Sequence, residues 1–205
     1  MNRNEKELVI LKKYLPEGYA HFVQQLMVKY PIRFRIVKPR STKLGDFKVN
    51  RLTKETQITI NGNLNPYSFL ITTVHEFAHY IAFKKYGLKI KPHGEEWKRE
   101  YALLSSEAIN FGHLPKDVEA AFVNSGIKIK ASCSDLSLMR TLKQYYKTNS
   151  ERVNIECLSK NAIFAYQNRQ FKLLEKKRTR YLCEELESNK KYSFHALTEI
   201  ELYEQ

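Results

Sequence analysis

The chain has 205 residues, a formal net charge of +13, a hydrophobic fraction of 42% and only 7 glycines and 6 prolines. These values fit one globular domain, or one with a small appendix, and exclude a disordered or fibrous protein. No apolar run approaches the ~18 to 20 residues of a bilayer span, and the N-terminal MNRNEKELVILKKYLPEG is too charged for a signal peptide, so a cytoplasmic protein with no membrane partner is expected.

Residues 5–15 and 17–30 read as two helices punctuated by Pro16 and Gly18. Tyr19, Phe22, Val23, Leu26, Met27 and Tyr30 form one apolar stripe on the second. PIRFRIVK (31–38) alternates Ile32, Phe34 and Ile36 with Arg33, Arg35 and Val37, the pattern of a half-buried strand. KLGDFKVN and TQITIN add two short strands around the turn-like RLTKE, which together predict a small antiparallel sheet. Asn65-Pro66 then opens a helix that Gly87 closes, with Leu70, Val74, Phe77, Ala78 and Ile81 as its single buried face.

A further helix is predicted from 95 to about 110, with Glu95 and Glu96 in its first turn, followed by a shorter one ended by Gly126. Ser134 is placed as the cap of a last helix running to Tyr145 or Tyr146. Beyond Asn149, VNIECL, AIFAYQ, QFKLLE, TRYLCEEL and KYSFHAL are short β-like runs joined by polar turns. The expected class is α+β, with helices and a small sheet in 1–149 and an all-β appendix in 150–205.

Cys133, Cys157 and Cys183 are scattered, with no Cys-x-x-Cys pair, which suits a reducing compartment and reads as three small buried apolar side chains. The charge is lopsided: residues 1–150 carry 25 lysines and arginines against 13 acids, the remainder 10 against 9. The stretch from Lys29 to Lys54 concentrates it, with Arg33, Arg35, Lys38, Arg40, Lys43, Lys48 and Arg51 as candidate contacts to a polyanion, DNA first; the competing reading is a solvated face that aids solubility. In the appendix, EKKRTRY sets Lys176, Lys177, Arg178 and Arg180 beside Tyr181, and a strand edge guarded by charge is the favoured reading.

The stretch ITTVHEFAHYIAFKKYGLKIKPHGEEW carries the chemistry. His75 and His79 stand one helical turn apart, about 6 Å, so both imidazoles reach one metal ion. Catalytic zinc takes three protein ligands and leaves a fourth position for water, and Glu76 sits where it can take that water's proton without being a ligand. For the third ligand His93 is placed by the chain doubling back through a glycine turn, Glu95, Glu96 and Glu100 compete with it, and His113 reads as a surface-loop residue.

HEFAHY followed by HGEEWK resembles the SprT-like metallopeptidase family, which includes bacterial SprT and eukaryotic Spartan; its signature is His-Glu-x-x-His and then a His-Gly opening the next helix. The resemblance spans roughly residues 5–112. It implies a minimal zincin fold, Zn2+ held by His75, His79 and His93, and Glu76 as catalytic acid and base. It also implies a protein or peptide substrate, with DNA-crosslinked proteins as the class cleaved by eukaryotic relatives. Many members carry a C-terminal zinc ribbon with paired cysteines; residues 133–205 hold no such pair. The expected function is therefore a zinc metalloendopeptidase that engages its substrate along the sheet edge at 43–60, with a nucleic-acid-binding or regulatory module of little proteolytic activity as the rival.

Overall fold

A computed structural model describes residues 2–50, 52–127, 135–146, 152–177 and 180–202. It has α+β architecture and divides into two compact units, 1–146 and 147–205. Among the described residues no helix is long and apolar enough to cross a membrane.

The first unit opens with α1 (Arg3–Leu11), whose start is fixed by a capping box: the Asn2 side chain accepts from the Glu5 amide at 2.9 Å and the Glu5 carboxylate accepts from the Asn2 amide at 2.9 Å. The helix expected to reach residue 15 stops at Leu11, because the next residues turn and tuck Leu15 into the core. Gly18, at φ 83°, is the left-handed hinge into α2 (Tyr19–Lys29).

Strands β1 (Arg33–Val37), β2 (Gly45–Val49) and β3 (Thr56–Asn61) form a sheet in the order β1-β3-β2. The expected all-antiparallel sheet is mixed: β2 runs antiparallel to β3, but β1 runs parallel to it. β3 carries the fully buried Ile58 and Ile60 and therefore takes the centre. The loop at 38–44 is strapped across the end of β3, where Asn61 Nδ2 donates to the carbonyls of Arg40 (3.1 Å) and Lys43 (2.9 Å). Arg40 donates back to Asn61 Oδ1 at 2.9 Å and Thr59 Oγ1 at 3.0 Å. That strap carries the chain over β3, so β2 returns on its far side.

α3 (Pro66–Tyr86) begins as the sequence predicts, with Asn65 Oδ1 accepting from the Ser68 amide at 2.9 Å, a cap worth about 1 kcal/mol. Gly87, at φ 78°, ends it. The helix was expected to bury one face, yet residues 68–78 and 80–82 are all buried. Its central position explains this, since it packs against β2, β3 and α4.

α4 (Glu95–Asn110) matches expectation, and α5 (Lys116–Ile127) runs one residue past Gly126. α6 (Leu136–Lys143) is capped by Asp135, whose Oδ1 accepts from the amides of Ser137 (2.9 Å) and Leu138 (3.0 Å); the expected cap, Ser134, lies outside the described residues. α6 ends short of the expected Tyr145, and its Leu142 carbonyl accepts from Asn65 Nδ2 at 2.8 Å, tying it to the start of α3.

The second unit is one antiparallel sheet in the order β4-β9-β5-β6-β7-β8. Its strands are β4 (Arg152–Asn154), β5 (Ile163–Tyr166), β6 (Arg169–Lys177), β7 (Arg180–Glu185), β8 (Lys191–His195) and β9 (Glu199–Leu202). Rings fill its interior: the Phe171 centroid lies 5.6 Å from that of Phe164 and 5.0 Å from that of Phe194. Cys183 is fully buried there, whereas Cys157, expected inside, is exposed on a short 3-10 turn whose inward position Ile155 occupies. Cys133 lies outside the described residues, as do Arg178 and Thr179 of the EKKRTRY stretch. The other basic residues of that stretch are engaged locally, Lys176 over the Tyr181 ring (5.7 Å to its centroid), Lys177 with Glu175 (3.0 Å) and Arg180 with Ser193 (2.8 Å).

Glu185 pairs with Arg169, whose guanidinium also lies 4.7 Å from the Tyr192 ring centroid, and accepts from the Ser188 hydroxyl. Arg169 and then Ser188 hold its carboxyl well below the ordinary 4.5, at about 2. A depressed folded-state pKa stabilises above the unfolded value and is lost as pH falls. Amides of β6 and β7 should therefore exchange faster as pH drops from about 4.5 toward 2, beyond the intrinsic pH effect, and Glu185→Gln should remove that excess; hydrogen exchange reads both.

Candidate metal centre

One helical turn of α3 puts the Nε2 atoms of His75 and His79 3.2 Å apart. His93 comes from the turn ahead of α4 with φ 58°, a left-handed conformation that histidine enters more readily than most side chains. This bend brings its Nε2 to 3.0 Å from that of His79 and 3.1 Å from that of His75. Gly94 completes the bend, its amide donating to the Lys91 carbonyl at 2.9 Å; a Cβ there would lie 3.0 Å from that carbonyl.

Three ring nitrogens thus converge on one point. Nitrogen ligands about 2.0 to 2.1 Å from a tetrahedral ion sit roughly 3.3 Å from one another, so the triangle fits a metal ion with little adjustment. The donors also suit the task, because ligating imidazoles must be neutral. Burial, reinforced by the neighbouring histidines, pushes His75 down to about 2 and His79 to about 4, and burial lowers His93. His75, His79 and His93 can hold a metal ion, and among the described residues they are the one such group.

Two of the competing candidates are occupied elsewhere. The Glu100 carboxylate, buried between α3 and α4, accepts from Lys85 Nζ at 2.6 Å and the Tyr86 hydroxyl at 3.2 Å. Glu95 pairs with Lys98 at 2.7 Å. Glu96 and His113 lie outside the one group of converging ligand atoms found among the described residues.

Glu76 is buried beside the triad, 6% exposed. Burial, then Asp46, raises its pKa to about 8; the Phe47 backbone amide, which donates to it, and the charges of Arg40 and Lys43 act the other way. The β2 backbone presses directly on this side chain. A Cβ added to Gly45 would lie 2.7 Å from Glu76 Oε1 and 2.6 Å from Thr72 Cγ2, so only glycine lets the strand come this close.

The basic residues divide into groups. Arg33, Arg35 and Lys38 are exposed, and Arg33 and Lys48 line a groove of about 680 Å³ together with Lys54. Lys43 and Lys48 both pair with Asp46, at 2.9 and 3.4 Å. Arg40 is turned onto Asn61 and Thr59, and Arg51 lies outside the described residues.

A family model described as SprT-like matches residues 16–119, half of the chain. The chain belongs to the SprT-like family. The matched SprT-like region takes in the three-stranded sheet, α3, α4, the histidine triad and Glu76. Proteins named Protein SprT from Pseudomonas aeruginosa strains LESB58, UCBPP-PA14 and PAO1 are each 37% identical over 82 residues, 38% of this chain and 46% of theirs. The chain thus spans about half the length of the curated relatives it matches. No solved structure matches it.

Three features of this SprT-like site escaped the sequence reading: Gly45, the Phe47 amide and Trp97. Gly45 and Phe47 are brought to Glu76 by tertiary packing, which no local pattern announces. Trp97 left a signal as the first member of the apolar stripe of α4, with Tyr101, Leu104 and Ala108, which marks it as buried but not as a neighbour of the imidazoles.

Proposed function

We propose that this SprT-like protein is a zinc-dependent endopeptidase of the zincin type, with His75, His79 and His93 holding the ion and Glu76 as catalytic acid and base. The observation that carries the proposal is the convergence of three imidazole nitrogens within 3.2 Å of one another, next to a buried glutamate on the same helix. Zinc, when bound, supplies Lewis acidity toward the scissile carbonyl and lowers the pKa of water toward ~7. Glu76 takes the proton of the attacking water on a carboxylate oxygen and delivers it to the nitrogen of the departing amine. Its burial strengthens that proton affinity, and the Phe47 amide keeps the carboxylate aimed. β2 ends the sheet order, so its outer edge offers backbone groups to an extended peptide, a mode of binding that tolerates many sequences.

Positive charge supports DNA-associated proteins as the substrates: the surplus lies in residues 1–150, and Arg33, Lys48 and Lys54 surround one groove. The same groove favours a second reading, a zinc-containing nucleic-acid-binding or regulatory module with little proteolysis. The purified 205-residue chain should carry one equivalent of zinc by elemental analysis and cleave an unfolded protein, faster in the presence of single-stranded DNA. His93→Ala should lose the zinc and the cleavage, whereas Glu100→Gln should keep its zinc. Zinc-loaded chain that shifts DNA and cuts nothing would establish the second reading instead.

A further inference from the structure

Trp97 is the chain's single tryptophan, 2% exposed on the first turn of α4. Its ring meets all three candidate ligands, with centroids 4.8 Å from His75, 5.1 Å from His79 and 4.6 Å from His93. Behind it Tyr101 stacks at 4.8 Å and an interplanar angle of 11°, and Phe122 of α5 meets Tyr101 edge-on at 6.2 Å. A column of rings from α5 through α4 thus ends on the three imidazoles. The indole Nε1 is buried and has no hydrogen-bond partner among the described residues. An indole whose donor goes unused is a poor choice for filling space, because phenylalanine would fill most of the volume without a desolvated N–H. What the indole adds is breadth: the three imidazoles meet it at 58°, 33° and 80°, so one rigid ring system touches side chains from two separate segments, α3 and the bend ahead of α4.

We propose that Trp97 is the positioning residue of the centre, a flat backing that sets the orientation of the three imidazoles so that their Nε2 atoms converge before an ion arrives. The proposal rests on the reading of the triad as a metal site. It assigns Trp97 no contact with the ion or the substrate. The residues around a ligand shell that fix ring orientation typically alter metal affinity 10- to 100-fold when replaced. Phenylalanine at 97 removes the unsatisfied donor and narrows the backing, so metal affinity and fold stability should respond differently.

The test titrates Zn2+ and Co2+ into metal-free wild-type and Trp97→Phe chains. The expected result is a loss of at least about 10-fold in Zn2+ affinity in Trp97→Phe, with the metal-free melting temperature preserved and the visible Co2+ spectrum changed. Wild-type affinity and an unchanged Co2+ spectrum in Trp97→Phe would overturn the proposal. Should that variant not fold, the wild type decides: its tryptophan emission should be quenched by Co2+ with saturation at one equivalent, and emission indifferent to bound Co2+ would overturn the proposal. Wild-type chain that binds neither ion would sink the metal reading itself, a result distinct from either outcome for Trp97.

Discussion

Glu76→Gln should keep a full equivalent of zinc while its turnover of an unfolded protein substrate falls by about 10²- to 10⁴-fold, the usual contribution of a positioned proton carrier. The substitution is nearly isosteric. The amide oxygen can still accept from the Phe47 backbone, and the new side chain still fits beneath Gly45. Burial already disfavours the carboxylate's charge, so a neutral amide should not lower the melting temperature. What disappears is the atom that takes up a proton. Metal content, melting temperature and kcat measured on one preparation separate the role of Glu76 from folding and ion binding, and kcat within a factor of two of wild type would rule that role out.

Gly45→Ala tests the same carboxylate from the strand side. The added methyl would sit 2.6 Å from Thr72 Cγ2 and 2.8 Å from Glu76 Cγ, distances that real Cβ contacts do not show. Either β2 lifts away or Glu76 is pushed aside, and overpacking of this kind costs about 1 to 3 kcal/mol. For a chain of this size that lowers the melting temperature by several degrees, roughly 2 to 4 °C per kcal/mol. Zinc stoichiometry should be unchanged, because the atoms nearest the added Cβ belong to Thr72 and Glu76 rather than to an imidazole, whereas kcat should fall with the displaced Glu76. A variant with wild-type melting and wild-type kcat would show that the strand does not hold the glutamate in place.

The parts of this molecule that follow local rules were readable from the chain. Asn65, Pro66 and Gly87 bound α3 through capping and a left-handed stop, and the spacing of His75 and His79 follows from helix pitch alone. Sequence left His93 in competition with three glutamates, and the fold separates them: Glu100 is taken by Lys85 and Tyr86, and among the described residues only His93 joins His75 and His79. The parallel pairing of β1 with β3 is accompanied by the Arg40–Asn61 strap, a contact between residues 21 positions apart that no periodicity contains. α3 read as one-sided because its apolar stripe is regular, yet Thr72, Thr73, His75 and Glu76 are buried too, enclosed by the sheet and α4. Polar residues at such positions look solvent-facing until their neighbours are known.

The second unit holds its sheet together with Phe164, Phe171 and Phe194 around a lone buried thiol, Cys183, rather than with thiolates bound to an ion. Chelators and mild peroxide, which dismantle domains stapled by metal and sulfur, have little purchase on such an interior. Loss of activity after chelation would then trace to residues 1–146, and a stripped preparation should recover on adding zinc back without any refolding of the C-terminal sheet.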